Sequence, residues 1–168
     1  TNLRIENISM KSNMVNQDLL KNKFYDYVAW THSDGQTPLT DILLACKIAE
    51  SNLKFKENIF IKGKKLIRKD GFVSKYFEFV LNILLSIFFN KSITHPYSQP
   101  SLISITLLKK FINECPNNSL FDLDILIRSL KFKPYLKRFE VRFLKRETGS
   151  GSNEKINQKI KFSIINLK

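Results

Sequence analysis

The chain has 168 residues and a formal net charge of +13, from 28 Lys and Arg against 15 Asp and Glu. This length fits one domain with its own hydrophobic core and argues against two. The two cysteines, Cys46 and Cys115, fall inside apolar helical patterns. They favour free thiols in an intracellular protein over a disulfide-stapled secreted one.

Three Asn-x-Ser/Thr sequons, at Asn7, Asn90 and Asn117, keep a secreted glycoprotein open as an alternative. Such matches arise by chance in an Asn-rich chain, so their weight is small. No signal-peptide pattern is present, and a start without Met indicates an excised fragment. We therefore expect an intracellular protein.

The positive charge is concentrated in two stretches of the chain. Residues 54–75 carry a net charge of +6 and residues 131–168 a net charge of +8, so the remaining residues carry −1. Charge gathered in this way favours an anionic partner, either nucleic acid or an acidic protein surface. The alternative is that Lys-rich strands keep exposed sheet edges soluble.

The first thirty residues predict a strand followed by a helix. Weak alternation through Leu3 and Ile5 predicts a short strand. Apolar residues at intervals of three and four from Asn16, including Leu19, Leu20, Phe24 and Val28, then predict a helix that extends to about Trp30. The aromatic residues near its end are expected either to pack in the core or to form a partner-binding patch.

A second helix and a basic hairpin are predicted next. Thr37 and Pro38 form a favourable helix start, and the apolar pattern continues to about Ser51. Residues 54–71 then alternate through Ile59 and Ile61, which predicts a β-hairpin. Its tip would carry Lys62, Lys64 and Lys65, followed by Arg68 and Lys69.

Residues 72–90 are the most apolar stretch of the chain and predict its central helix. A narrow polar stripe contains Lys75, Glu78, Asn82 and Ser86, while apolar residues cover nearly all the remaining surface. A helix of this kind is expected to be buried by neighbours on most sides. A membrane span is the weaker alternative, because Glu78 and Asn82 would both lie in hydrocarbon.

Two further helices and two basic strands complete the pattern. Residues 100–115 and 119–131 have helical apolar spacing, and each ends before a proline. Residues 139–143 and 160–164 alternate apolar and charged side chains, which predicts strands with one dry face and one charged face. Tyr135 is a candidate for stacking on an exposed base.

Residues 148–152, Thr-Gly-Ser-Gly-Ser, differ in composition from the rest of the chain and indicate an engineered joint. One construction rejoins two strands after removal of a loop. The other tethers residues 153–168, as a segment of a second protein, to a sheet edge of residues 1–147 by β-strand addition. A natural Gly/Ser turn is the remaining alternative.

The order helix, break, helix, turn, helix, strand, strand over residues 72–166 resembles a winged-helix domain. That resemblance implies that residues 119–131 form a recognition helix that enters a major groove. Asp122 and Asp124 depart from this pattern, because carboxylates beside phosphates are repulsive.

No catalytic or metal-binding signature is present. His32 and His95 lack Cys, Asp or Glu partners at metal-ligand spacing. No nucleophile stands near a base in a pattern that predicts proximity. Acids distant in sequence can still meet in a fold, so catalysis is kept as a minor alternative. We predict a protein that is not an enzyme and uses no cofactor, metal or membrane.

The overall prediction is a single α+β domain with about five helices around residues 72–90. Its predicted function is a non-catalytic binding subunit of a nuclear or chromosomal assembly that contacts nucleic acid and another protein subunit. The alternative is an adaptor that binds a partner segment by β-strand addition. The predicted nucleic-acid contacts are Lys62, Lys64, Lys65, Arg68, Lys69, Lys137, Arg138, Arg142, Lys145, Arg146, Lys159 and Lys161. The predicted partner contacts are Phe139, Val141, Phe143, Ile160, Phe162 and Ile164.

Overall fold

The structure, a computed structural model, describes residues 3–5, 25–31, 37–68, 72–116 and 120–143, with side chains for 25–31, 37–65, 75–116 and 120–142. The described residues form an α+β fold in which helices lie on both faces of a mixed sheet. The strands are β1 (Leu3–Ile5), β2 (Tyr27–Trp30), β3 (Ile59–Arg68), β4 (Ser101–Ser104) and β5 (Tyr135–Phe143). The helices are α1 (Thr40–Glu50), α2 (Phe72–Phe89), α3 (Ile105–Leu108) and α4 (Phe121–Leu130).

The sheet has the strand order β1-β2-β4-β3-β5. The central strand β4 is antiparallel to both of its neighbours, β2 and β3. The outer pairs, β1 with β2 and β3 with β5, are parallel. The long β3·β5 pair begins with Ile59 opposite Tyr135, so the starts of β3 and β5 lie at the same end of the sheet.

Alternate residues of the strands supply two separate cores. Tyr27 and Ala29 of β2 face α1, which packs on the sheet through Ile42, Ala45 and Ala49. This spacing of three and four residues places the buried side chains on one helix face. On the opposite face, α2, α3 and α4 cover the remaining strand residues. The core therefore lies on both sides of the sheet rather than around one helix.

Several sequence predictions are confirmed. Helices form at α1, α2 and α4, and strands at β1 and β5, near the predicted positions. Helix α1 carries Asp41 in its first turn and Lys47 in its last, which complements the helix dipole.

Within the described residues, no helix combines the length and apolar character that crossing a bilayer requires.

Two predicted helices are wrong where strands replace them. Residues 27–30, the predicted end of the first helix, form β2, and Ser101–Ser104 form β4 before the short helix α3. Every residue of β2 and β4 is buried. Strands covered on both faces lose the alternation that would distinguish them from helices. Residues 16–24 of the first predicted helix lie outside the described residues.

The predicted hairpin at 54–71 is also wrong. Ile59–Arg68 is one continuous strand, with a register irregularity between Lys65 and Ile67. It pairs with β4 on one side and β5 on the other. The predicted hairpin tip is therefore the middle of an inner strand. Because β5 pairs in parallel with β3, the resemblance to a winged-helix domain is not confirmed.

Helix α2 was expected at the centre of the core, and the structure corrects this expectation. Leu81 and Leu85 point to the core, and a line of aromatic and aliphatic side chains on the outer surface is exposed. The sheet, rather than α2, is the centre of the fold. The inner strands β3 and β4, with Ile59, Phe60 and Leu102 fully buried, take the central place.

Gly63 on β3 lies where two backbones approach closely. Its N–H donates to the carbonyl oxygen of Pro100 at 2.8 Å. A Cβ atom at this position would lie 2.5 Å from the carbonyl oxygen of Gln99. We expect Gly63→Ala to destabilise the fold by about 1–3 kcal/mol. The added methyl group would collide with the Gln99 backbone, which is less free to move than a side chain. Thermal unfolding measures this, with Lys64→Ala as the exposed control at about 0.5 kcal/mol or less.

Candidate nucleic-acid interface

One end of the sheet is formed by the segments that precede β3 and β5. Asn58, just before β3, donates its side-chain amide to the carbonyl oxygen of Phe132 at 3.2 Å. The N–H of Tyr135 donates to the carbonyl oxygen of Asn58 at 2.9 Å. These bonds hold residues 54–58 against residues 131–135.

The end of β4 brings a third segment to the same place. The Ser104 hydroxyl donates to the carbonyl oxygen of Glu57 at 2.9 Å and also caps α3. The chain then turns at residues 109–111, where the rings of Phe111 and Phe132 stack with centroids 6.0 Å apart. Three segments distant in sequence therefore meet at this end of the sheet.

These segments, with the start of β5, carry a concentration of exposed lysines. We call this surface the basic end and define it as Lys54, Lys56, Lys109, Lys110, Lys131, Lys133 and Lys137. The acid in the same stretches is Glu57. Lys56 forms an ion pair with Asp26 at 2.8 Å, and this hydrogen bond raises the pKa of Lys56. The seven lysines outnumber Glu57 and Asp26, so the basic end has a net positive charge.

Aromatic rings lie among these lysines. Phe55 and Tyr135 stack with centroids 4.2 Å apart and planes at 6°. Lys54 places its Nζ 5.0 Å from the Phe55 centroid, and Lys110 places its Nζ 5.1 Å from the Phe132 centroid. Phe132 is 37% exposed. Cations beside rings are the combination that contacts phosphates and bases in proteins that bind single strands.

The structure removes Lys62 from the predicted contact surface. Its side chain is fully buried, and its Nζ donates to the Ser101 hydroxyl at 3.1 Å. Burial lowers the pKa of Lys62 to about 8, with the Asp122 charge acting in the opposite direction. An ammonium group inside the fold cannot contact a phosphate backbone. The cause is the position of Lys62 in the middle of an inner strand.

Arg138 lies beside Lys62 and is half-buried. The two residues are opposite each other in the β3·β5 register. Burial lowers the pKa of Arg138, and among the described residues its buried Nη1 has no hydrogen-bond partner. Lys62 and Arg138 share the sheet face of Phe60 and Leu136, which α2, α3 and α4 cover in part.

The remaining predicted cations are distributed over the long β3·β5 pair. Lys137 belongs to the basic end, whereas Lys64 is exposed farther along β3, opposite Glu140. Arg142 is exposed near the far end of β5. Burial raises the pKa of Asp41, and the positive charge of Arg142 reduces that rise. Lys65 is half-buried. The side chain of Arg68, and Lys69, Lys145, Arg146, Lys159 and Lys161, lie outside the described part.

Two of the predicted partner contacts, Phe139 and Val141, have described side chains. Phe139 and Val141 are buried on the sheet face that α1 covers. Their side chains belong to the core, and their contact with a partner strand stays a prediction. The side chain of Phe143, and Ile160, Phe162 and Ile164, lie outside the described part, as do the Gly/Ser joint and residues 153–168.

A buried carboxylate in the first turn of α4, that of Asp122, was not predicted. Asp122 accepts hydrogen bonds from the indole N–H of Trp30 and the side-chain amide of Gln99, each at 2.7 Å. It is 7% exposed and contributes the nearby negative charge that favours the charged form of Lys62. The residue expected on an exposed recognition helix therefore joins β2, α4 and the segment before β4.

No protein-family model matches the chain, and no curated protein shows significant similarity to it. Among the described side chains, no group of three or more His, Cys, Asp and Glu residues is placed to hold a metal ion. The basic end is therefore the candidate site of the described residues.

The basic end could be predicted from the sequence only in part. Lys54, Lys56, Lys131 and Lys133 belong to the two stretches whose net charge is positive. Lys109 and Lys110 lie outside those stretches and join the surface through the stacking of Phe111 on Phe132. Apolar or charge periodicity within a short window does not predict the contact between Phe111 and Phe132.

Proposed function

We propose that the chain is a non-catalytic nucleic-acid-binding domain that contacts DNA or RNA through the basic end. The observation that carries this proposal is the convergence of exposed lysines from three segments around stacked aromatic rings. Lysines at one surface neutralise neighbouring phosphates, and the release of counterions then favours binding. Rings beside those cations offer stacking surfaces to unpaired bases.

The proposal differs from the sequence prediction in its contact residues. Lys62 is buried and Arg138 is half-buried, and Lys54, Lys109, Lys110, Lys131 and Lys133 take their place beside Lys137. A place in a nuclear or chromosomal assembly stays a prediction. The adaptor function also stays a prediction, because it depends on residues 153–168.

The test is charge reversal at the basic end. We expect Lys131→Glu/Lys133→Glu to weaken binding to labelled single-stranded DNA and RNA by about 10-fold or more at low salt. The slope of log affinity against log salt should become shallower by about 0.7 for each lost phosphate contact. Fluorescence anisotropy at several salt concentrations measures both quantities.

The matched control is Lys75→Glu/Lys91→Glu, which changes two exposed lysines at the ends of α2 and alters net charge equally. It should keep most of the affinity and the original salt slope. If the unaltered chain binds neither oligonucleotide at low salt, or if both double variants lose affinity equally, the basic end is not a nucleic-acid site.

A further inference from the structure

The outer surface of α2 presents an apolar face to solvent. Tyr76, Phe79, Ile83 and Ile87 follow one another at intervals of three and four residues, and Leu84 and Phe88 lie beside them. Each of these six side chains is between 40% and 74% exposed. Single exposed apolar residues are common, but a continuous row on one helix is typical of an interaction surface.

A groove runs along the edge of this face. Its cavity has a volume of about 480 Å³, with α2 as one wall and residues 93–95 as the other. Along α2 its lining extends from Lys75 to Ser86, about 16 Å at the helical rise. Phe79 and Ile83 belong both to this lining and to the exposed face, so the groove and the face form one surface.

Direct contacts hold the two walls of the groove together. The N–H of Ile93 donates to the Ser86 hydroxyl at 3.0 Å, and this hydroxyl lies 3.1 Å from the Ile93 carbonyl oxygen, to which it donates. His95 and Glu78 form a second connection, with Nδ1 and Oε1 at 2.8 Å. The groove is therefore formed before any partner arrives, which reduces the entropy cost of binding.

The charges around this surface favour an acidic partner. Lys75 and Glu78 are the charged residues of α2, and the Glu78 carboxylate is bonded to His95. Lys75 near the start of the helix and Lys91 just beyond its end are both exposed. The helix spans about 21 Å from Lys75 to its last residue, Phe89. The surface thus has an apolar centre with a cation at each end.

We propose that the α2 groove binds an amphipathic helix of a partner protein, with an apolar stripe on one face and acidic residues at both ends. Side chains spaced by three and four residues form ridges that fit between those of another helix. Carboxylates at its ends would meet Lys75 and Lys91, where the attraction favours association. A second copy is disfavoured, because antiparallel pairing would place Lys75 against Lys91 in chains of net charge +13.

The probe is a fluorescein-labelled synthetic helix of 18 residues, the length of α2. It carries leucines at helical spacing and glutamates near both ends, and its counterpart has lysines in place of the glutamates. Binding to the full chain is followed by fluorescence anisotropy. The glutamate helix should bind at least about 10-fold more tightly than the lysine helix, and the difference should narrow in high salt.

Two double variants locate the binding surface. Phe79→Glu/Ile87→Glu places charges in the α2 face and should weaken binding of the glutamate helix at least about 10-fold. Leu43→Glu/Leu53→Glu changes two similarly exposed leucines, on α1 and on the turn before β3, and should leave binding unchanged. Circular dichroism confirms that each variant is folded.

Other occupants would be recognised by different results. The proposal is overturned if the glutamate helix does not bind the folded chain, or if the Leu43/Leu53 variant weakens binding equally. A dimer in sedimentation equilibrium that Phe79→Glu/Ile87→Glu dissociates would assign the surface to a second copy. Binding to phosphatidylserine vesicles in place of the peptide would assign it to a lipid surface. Lys131→Glu/Lys133→Glu should keep peptide affinity, so this proposal and the nucleic-acid proposal fail separately.

Discussion

Replacing Asp122 with alanine is expected to lower the free energy of unfolding by about 3–5 kcal/mol. The carboxylate accepts one hydrogen bond from Trp30 and one from Gln99, each at 2.7 Å and buried. Alanine would leave both donors without an acceptor and without access to water. It would also remove the negative charge that favours the ammonium form of Lys62.

Urea unfolding of the full chain measures the loss through the transition midpoint. The matched control is Asp124→Ala on the same helix, where the carboxylate accepts from Arg128 at 2.6 Å in a half-buried position. Arg128 keeps an ion pair with Glu114, so this control should lose about 1 kcal/mol or less. Equal losses in the two variants would refute a special role for Asp122.

Asp122→Asn separates the hydrogen bonds from the charge. Asparagine keeps one acceptor oxygen, but its amide group would face one of the two donors. We therefore expect a loss between those of the alanine variant and the Asp124 control. If the asparagine variant is as stable as the unaltered chain, the negative charge contributes nothing to the fold.

The parts of the fold that were predicted correctly depend on local patterns. Helices α1, α2 and α4 carry apolar residues at helical spacing, and β5 alternates buried Phe139 and Val141 with charged residues. Such patterns survive because each of these elements has one face toward the core and another toward solvent. The sequence therefore contains enough information to identify the element type.

The strands that were missed have no such contrast. Residues 27–30 and 101–104 are buried on both faces, and their apolar or small side chains do not alternate with charges. Their identity as strands comes from pairing between β2 and β4, across more than seventy residues of sequence. Periodicity within a short window does not report a partner that distant.

The basic end was predicted incompletely for the same reason. Net charge along the chain correctly identified basic stretches, yet Lys62 is inside the fold while Lys110 contributes to the surface. Lys62 is buried because it lies on a strand that helices cover, whereas Lys110 lies in the exposed turn after α3. The concentration of charge was therefore visible in the sequence, and the shape of the charged surface was not.

Because Lys62 is buried, the stability of the fold is expected to increase as the pH rises through about 8. The folded pKa is lowered by burial from 10.5 to about 8. Below that pH the ammonium group is charged in both states, and the full cost of burial is present. Between the two values the folded chain releases the proton while the unfolded chain keeps it. The free energy of unfolding then rises by up to about 1.4 kcal/mol per pH unit.

The cysteines act in the opposite direction at higher pH. Burial raises the pKa of Cys46 from 9.0 to about 11 and that of Cys115 to about 12. Above about pH 9 their thiols ionise first in the unfolded chain, which lowers stability as the pH rises. The increase due to Lys62 should therefore be measured mainly between about pH 8 and about pH 9.

Urea unfolding at several pH values in this interval tests the expectation. Lys62→Met keeps most of the side-chain volume and removes the titrating group, so its stability should not show the increase. The difference between the two chains cancels the cysteines, because both contain them. Lys64→Met, two residues along β3 and exposed, should keep the increase. Equal pH dependence in the unaltered chain and in Lys62→Met would mean that the Lys62 side chain is solvated in the folded protein.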